Sequence, residues 1–167
     1  MSIRRVLLAL GAVAVAAVSV LTLTAGPAAA LPAFGTAPVS GGGPGPLWIS
    51  DVTVGHHDGW DRVVFRATRP IDHWEARYVT QVTMDGSGNP VPLLGAADIQ
   101  VVLWSTDWMS HPSVQPNLKP GFPALRQVAG AGEFEAVATY GIGQQRKAGF
   151  RAFTLTGPDR LVIDVAA

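Results

Sequence analysis

From Trp74 to Met84 the chain alternates with a period of two: Trp74, Ala76, Tyr78, Thr80, Val82 and Met84 fall on one face, and His73, Glu75, Arg77, Gln81 and Thr83 on the other. Successive side chains point to opposite faces only in an extended strand, so the stretch predicts a half-buried β-strand. The alternation returns at Ile99-Val101-Leu103, at Phe134-Ala136-Ala138-Tyr140-Ile142 and at Leu161-Ile163-Val165, each bounded by Gly, Pro, Asp or Asn. No window of that length keeps a helical period. Short strands separated by turn residues argue an all-β domain, an antiparallel two-sheet β-sandwich or a small barrel.

The first thirty residues follow another rule. Arg4-Arg5 precede an apolar run from Val6 to Leu23, and Gly26-Pro27-Ala28-Ala29-Ala30 follows, which is the charged, apolar, small-residue order of a secretory signal with cleavage after Ala30. The rival is an uncleaved anchor, since such a run lies near the shortest that spans a bilayer. The paired arginines also fit a twin-arginine signal, but the strongly apolar run favours the general export route. "LPAFGTAPVSGGGPGP", Leu31 to Pro46, is rich in Pro, Gly and small residues and reads as a flexible linker. Residues 47–167 remain as a single domain, long enough to bury a core.

The chain carries 12 Lys+Arg and 12 Asp+Glu, so removing Arg4 and Arg5 with the signal leaves 10 against 12, a net charge near minus two. That balance gives no broad attraction to nucleic acid or anionic lipid, and no membrane contact is expected after signal cleavage. The absence of cysteine removes disulfides, thiol catalysis, cysteine-bound metals and a lipidated cysteine together. No metal or cofactor is expected.

Chemistry concentrates in "GHHDGWDRVVFRATRP", Gly55 to Pro70. His56, His57 and Asp58 supply groups for a metal or a general base. Adjacent side chains in a strand diverge, however, and Asp58-Gly59 is a favoured hairpin turn pair, so a turn followed by a strand is the simpler reading. Arg62, Arg66, Arg151 and Arg160 fall at strand entries or on the polar face, where a guanidinium can grip a carboxylate in bidentate fashion or simply pair with Asp61, Asp159 or Asp164. Glu133 and Glu135 share a strand face and read as a solvated pair, not as glycosidase carboxylates. "DGSGN", Asp85 to Asn89, lacks the spacing of a calcium loop and reads as a Gly-rich turn. "DRVVFRA" from Asp61 and "DRLVIDV" from Asp159 echo each other. The non-periodic stretch Ser105 to Ala124 carries four prolines and is the long connection most open to recognition. Trp48 and Trp74 sit where core packing is expected. The candidate ligand-binding residues are therefore Trp60 and Arg62 in the hairpin, and Trp108 and His111 in the long connection, because a Trp ring stacks on a sugar while its N–H stays wet.

At "HDGWDRVVF", "YVTQVTMDGSGNPVPLLGAADIQVVL" and "GFRAFTLTGPDRLVIDV" the chain resembles the AMIN-like domain of exported proteins from high-GC Gram-positive bacteria. The resemblance covers nearly all of Leu47 to Val165 and extends more distantly to the AMIN domains that accompany cell-wall amidases and secretins. It implies a non-catalytic β-sandwich that localises a protein to the envelope, with a cell-wall glycan or an envelope protein as partner, and it implies no reaction. Two departures stand out: no lipidated cysteine follows the signal, and no catalytic domain or secretin lies beside the module.

The expected function is thus an exported, non-enzymatic envelope-binding module, probing the wall through its linker-borne domain. The alternative is a secreted carrier of a small apolar or lipidic ligand, suggested by the 48% hydrophobic content, and requiring an enclosed cavity. A hydrolase built on His57, Asp58 and Asp61 requires those three to converge in a pocket.

Overall fold

The computed structural model describes residues 30–42, 48–71, 73–105 and 112–167. These form twelve strands: β1 (Val39–Gly41), β2 (Ile49–His57), β3 (Trp60–Ala67), β4 (His73–Val79), β5 (Val82–Thr83), β6 (Pro90–Val91), β7 (Ala97–Trp104), β8 (Asn117–Leu118), β9 (Leu125–Phe134), β10 (Val137–Gln144), β11 (Phe150–Leu155) and β12 (Arg160–Ala166). A six-stranded antiparallel sheet runs β1-β4-β7-β10-β9-β8, and a four-stranded one runs β11-β12-β3-β2. The two pack face to face as the sandwich expected from the alternation.

Each sheet turns one set of alternate residues inward. Val63 and Phe65 of β3, Leu161 and Ile163 of β12 and Phe150 of β11 meet Ile99, Val101 and Leu103 of β7 and Tyr140 and Ile142 of β10, all at most 1% exposed. Phe65 and Tyr140 touch across the interface with ring centroids 4.9 Å apart. Burying each large apolar side chain contributes about 2 kcal/mol, which makes this layer the main source of stability. It also fills the space that a lipid carrier would have to leave open.

Tyr140 is a polar group in that core. Its hydroxyl donates to Val114 O at 3.1 Å, and burial pushes the phenol well above its ordinary range, so it stays a donor. Tyr140→Phe is expected to cost about 1–2 kcal/mol. Chemical denaturation checks this as a lower midpoint with an unchanged slope; an unmoved midpoint would mean that Val114 O finds another donor.

The long alternation from Trp74 does not give one strand. β4 ends at Val79, the chain bends at Thr80 and Gln81, and β5 pairs with β6 as a separate ribbon. This excursion lies on the outer face of the six-stranded sheet, where Val82 is fully buried. Glycine permits the approach: a β-carbon on Gly141 would sit 2.7 Å from Leu93 Cδ1 and 3.1 Å from Val82 Cγ2.

The linker expected over Leu31 to Pro46 is not a free tether throughout. Gly35 exchanges backbone hydrogen bonds with Phe150, at 2.9 and 2.7 Å, on the edge of the four-stranded sheet. Four residues on, Val39–Gly41 begin to pair with Ala76, Glu75 and Trp74 on the edge of the six-stranded sheet. The composition hid this because the strap needs small residues: a β-carbon on Gly41 would stand 3.0 Å from Trp74 Cζ2, while Val39 supplies the apolar contact to the core. Leu31–Ala167 is accordingly one compact unit containing the whole described core. The signal proposed for residues 1–30 lies outside the described residues apart from Ala30.

Candidate functional site: the outer face of the four-stranded sheet

Asp58 and Gly59 make the expected hairpin turn, with Gly59 at φ 80° and His57 paired to Trp60. A two-residue turn needs that left-handed backbone, which glycine adopts without strain. Alternation from this fixed point turns Trp60, Arg62, Val64 and Arg66 outward, and Asp61, Val63 and Phe65 inward.

On β12, Asp164 lies directly opposite Arg62, and on β11 Arg151 lies opposite Asp164. Arg62 donates through Nε to Asp164 Oδ1 at 2.7 Å and through NH2 to Oδ2 at 3.0 Å; Arg151 donates through Nε to Oδ2 at 2.8 Å. The Asp164 side chain is completely buried beneath the two arginines, whose side chains retain 25% and 14% exposure. Two cations on one anion leave a local charge of plus one.

Aromatic rings complete the layer. His57 stacks on Trp60 with centroids 3.8 Å apart and planes 10° from parallel. The Arg62 guanidinium lies 4.6 Å from the Trp60 ring and 5.7 Å from Phe153, and that of Arg151 lies 4.4 Å from Phe34 and 5.4 Å from Trp60. The Gly35 bridge delivers Phe34 to this position, where the residue is 39% exposed. Rings and guanidinium planes thus interleave across β2, β3, β11 and the N-terminal strap, each holding its neighbour's rotamer.

Two expectations change here. Trp60 does not offer a bare ring to a sugar, because His57 closes one face and Arg62 approaches the ring. Arg62 does not hold its fork free for a ligand carboxylate, because Asp164 accepts from two of its nitrogens. What the face presents is the assembled layer. Arg151 and Asp164 were legible as possible partners, whereas Phe34 was not, since nothing in a Pro/Gly-rich stretch signals a return to the sheet.

Asp61, expected as a surface partner of arginine, faces the interior instead. Its Oδ2 accepts from Ala124 N at 2.8 Å and Leu125 N at 2.9 Å, and its Oδ1 lies 2.6 Å from His56 Nδ1. Asp61 therefore ties the four-stranded sheet to the start of β9 across the sandwich. His57, Asp58 and Asp61 do not converge: His57 lies on Trp60, Asp58 is exposed in the turn, and Asp61 is buried on the opposite face. The hydrolase reading loses the constellation on which it was built.

Glu133 is not merely solvated, since its Oε2 accepts from Ser113 N, while Glu135 sits in the exposed β9–β10 turn. Asp85 to Asn89 form the turn joining β5 and β6. Arg160 donates to Pro158 O at 3.0 Å. The echoing segments at Asp61 and Asp159 lie side by side as β3 and β12, which is why Arg62 of one meets Asp164 of the other. Trp108 and His111 lie outside the described residues. Among the described residues no cluster of three or more His, Asp or Glu has the geometry to hold a metal.

No curated protein and no solved structure matches the chain at a significant level. Residues 47–167, which carry β2 to β12 and all of the outer-face layer except Phe34, match the AMIN-like domain, and the chain belongs to that family.

Proposed function

We propose that this protein is an exported, non-catalytic module that binds the cell envelope through the outer face of its four-stranded sheet, with peptidoglycan as the partner. Family membership supports the coarse reading of an envelope-targeting or binding module. The observation that carries the finer one is the interleaved layer of Trp60, Arg62, Arg151 and Phe34, rigid, partly exposed and positively charged around a buried Asp164. The exposed Phe34 and the stacked His57–Trp60 pair, taken as one assembled surface, suit a sugar ring, and the guanidinium edges not used by Asp164 suit the carboxylates of a wall polymer. The signal-like N-terminus supports export, and with it an extracytoplasmic site of action.

Leu31–Ala167 is expected to co-sediment with insoluble cell-wall sacculi, and not with an unrelated polysaccharide, at low and moderate salt. Trp60→Ala is expected to weaken that binding about tenfold, the scale of losing one aromatic anchor, while unfolding stays cooperative. Failure to sediment would sink wall recognition and point to an envelope protein as the partner.

A further inference from the structure

A second surface lies on the other sheet. Where β4 ends and β7 begins, an open groove of about 560 Å³ is lined by Tyr78, Thr80, Leu93, Gly95, Asp98 and Lys147, among others. That volume is within the range that holds small ligands. The first strand residues of β7 are short, Ala97 followed by Asp98, and Gly95 and Ala96 precede them, so backbone and small side chains make much of the lining.

Among the described residues neither charge in the groove has an ion-pair partner. Asp98 is half-buried, and burial raises its carboxyl above the ordinary range. Lys147 forms no ion pair among the described residues; its ammonium rests 5.0 Å from the centre of the Tyr78 ring. The Tyr78 hydroxyl accepts from Ala148 N at 3.1 Å and donates to Ala148 O, which pins the β10–β11 connection carrying Lys147. Asp98 is held equally firmly, paired with Val79 on β4 while its neighbour Ala97 pairs with Gln144 on β10. The two charges are therefore displayed on fixed backbone in the lining of one groove.

We infer that this groove binds a small zwitterion, an amino acid or short peptide whose ammonium meets Asp98 and whose carboxylate meets Lys147. A bound ammonium supplies the counter-charge that Asp98 lacks, and a bound carboxylate does the same for Lys147. The aliphatic lining around Leu93 and Ala96 accommodates a small apolar side chain between the two ends. The site is on the six-stranded sheet, so it stands or falls independently of wall binding by the four-stranded sheet.

The probe is dialanine, titrated into ¹⁵N-labelled Leu31–Ala167 and followed by backbone amide shifts. Saturable shifts are expected at Thr80, Gly95, Ala96 and Asp98. N-acetyl-dialanine and dialanine amide, each missing one charge, are expected to bind about tenfold more weakly, as are Asp98→Asn and Lys147→Gln, since each removes one charge-assisted contact. Both substitutions remove an unpaired charge and leave the core untouched, so spectra away from the groove should be unchanged. The inference is overturned if these amides show no saturable shift at millimolar peptide, if the blocked peptides bind as well as the zwitterion, or if the shifts map to Trp60 and Phe153 instead.

Discussion

Asp61→Ala is expected to destabilise the domain by about 3–5 kcal/mol, close to the whole stability of a small domain. The carboxylate is fully buried and satisfies two backbone N–H groups, those of Ala124 and Leu125. Removing it strands both donors away from water, at about 1–3 kcal/mol each, and releases the point at which β9 is fastened to β3. His56 also bonds to Asp61, but its side chain is 48% exposed and can turn to water. His56→Ala should therefore cost less than about 1 kcal/mol. Asp61→Asn keeps one carbonyl oxygen for the amides and should fall between the two. Urea unfolding of the three variants checks the order; an Asp61→Ala variant as stable as His56→Ala would show that the two amides do not depend on this carboxylate.

Asp164→Ala is expected to cost about 2–4 kcal/mol, for a different reason. It leaves the guanidinium groups of Arg62 and Arg151 facing each other with no anion between them, and removing one member of a buried ionic group is far more damaging than the group is stabilising. The partial exposure of both arginines, 25% and 14%, lets them relax toward solvent and places the effect below that of a wholly enclosed charge. Replacing all three together, Arg62→Met, Arg151→Met and Asp164→Leu, should recover most of the loss, because no uncompensated charge remains. Thermal unfolding of the single and triple variants separates the two ideas. If the triple variant is as unstable as Asp164→Ala, packing of this layer and not charge compensation holds it together.

Much of this organisation was legible in the residues. The alternation at Ile99-Val101-Leu103 and Leu161-Ile163-Val165 had to place those side chains in a core, because a strand has only two faces and one was apolar. Asp58-Gly59 had to turn, because the pair favours the left-handed backbone that a two-residue hairpin uses, and the turn then set the parity of every residue from Trp60 to Ala67. The pairing of arginine with Asp164 was also within reach, as one of three possible aspartates.

Other features depended on which strands became neighbours. Whether Asp164 received the arginines rested on β12 lying beside β3 in one particular register, and a shift of a single residue would have turned Asp164 to the inner face. Phe34 joined the layer only because a composition typical of linkers also permits close backbone contact, so that the strap could pair at Gly35 and again at Val39–Gly41. The groove between Asp98 and Lys147 brings together residues almost fifty positions apart, and neither is unusual in its own neighbourhood.

The sequence by itself determined the strand class, the hairpin at Asp58-Gly59 and the identity of the core faces, because those follow from steric rules acting between residues close along the chain. The tertiary structure alone decided which charges are buried, which rings are stacked and where a ligand can lodge, because those are set by contacts between strands whose pairing no local rule specifies.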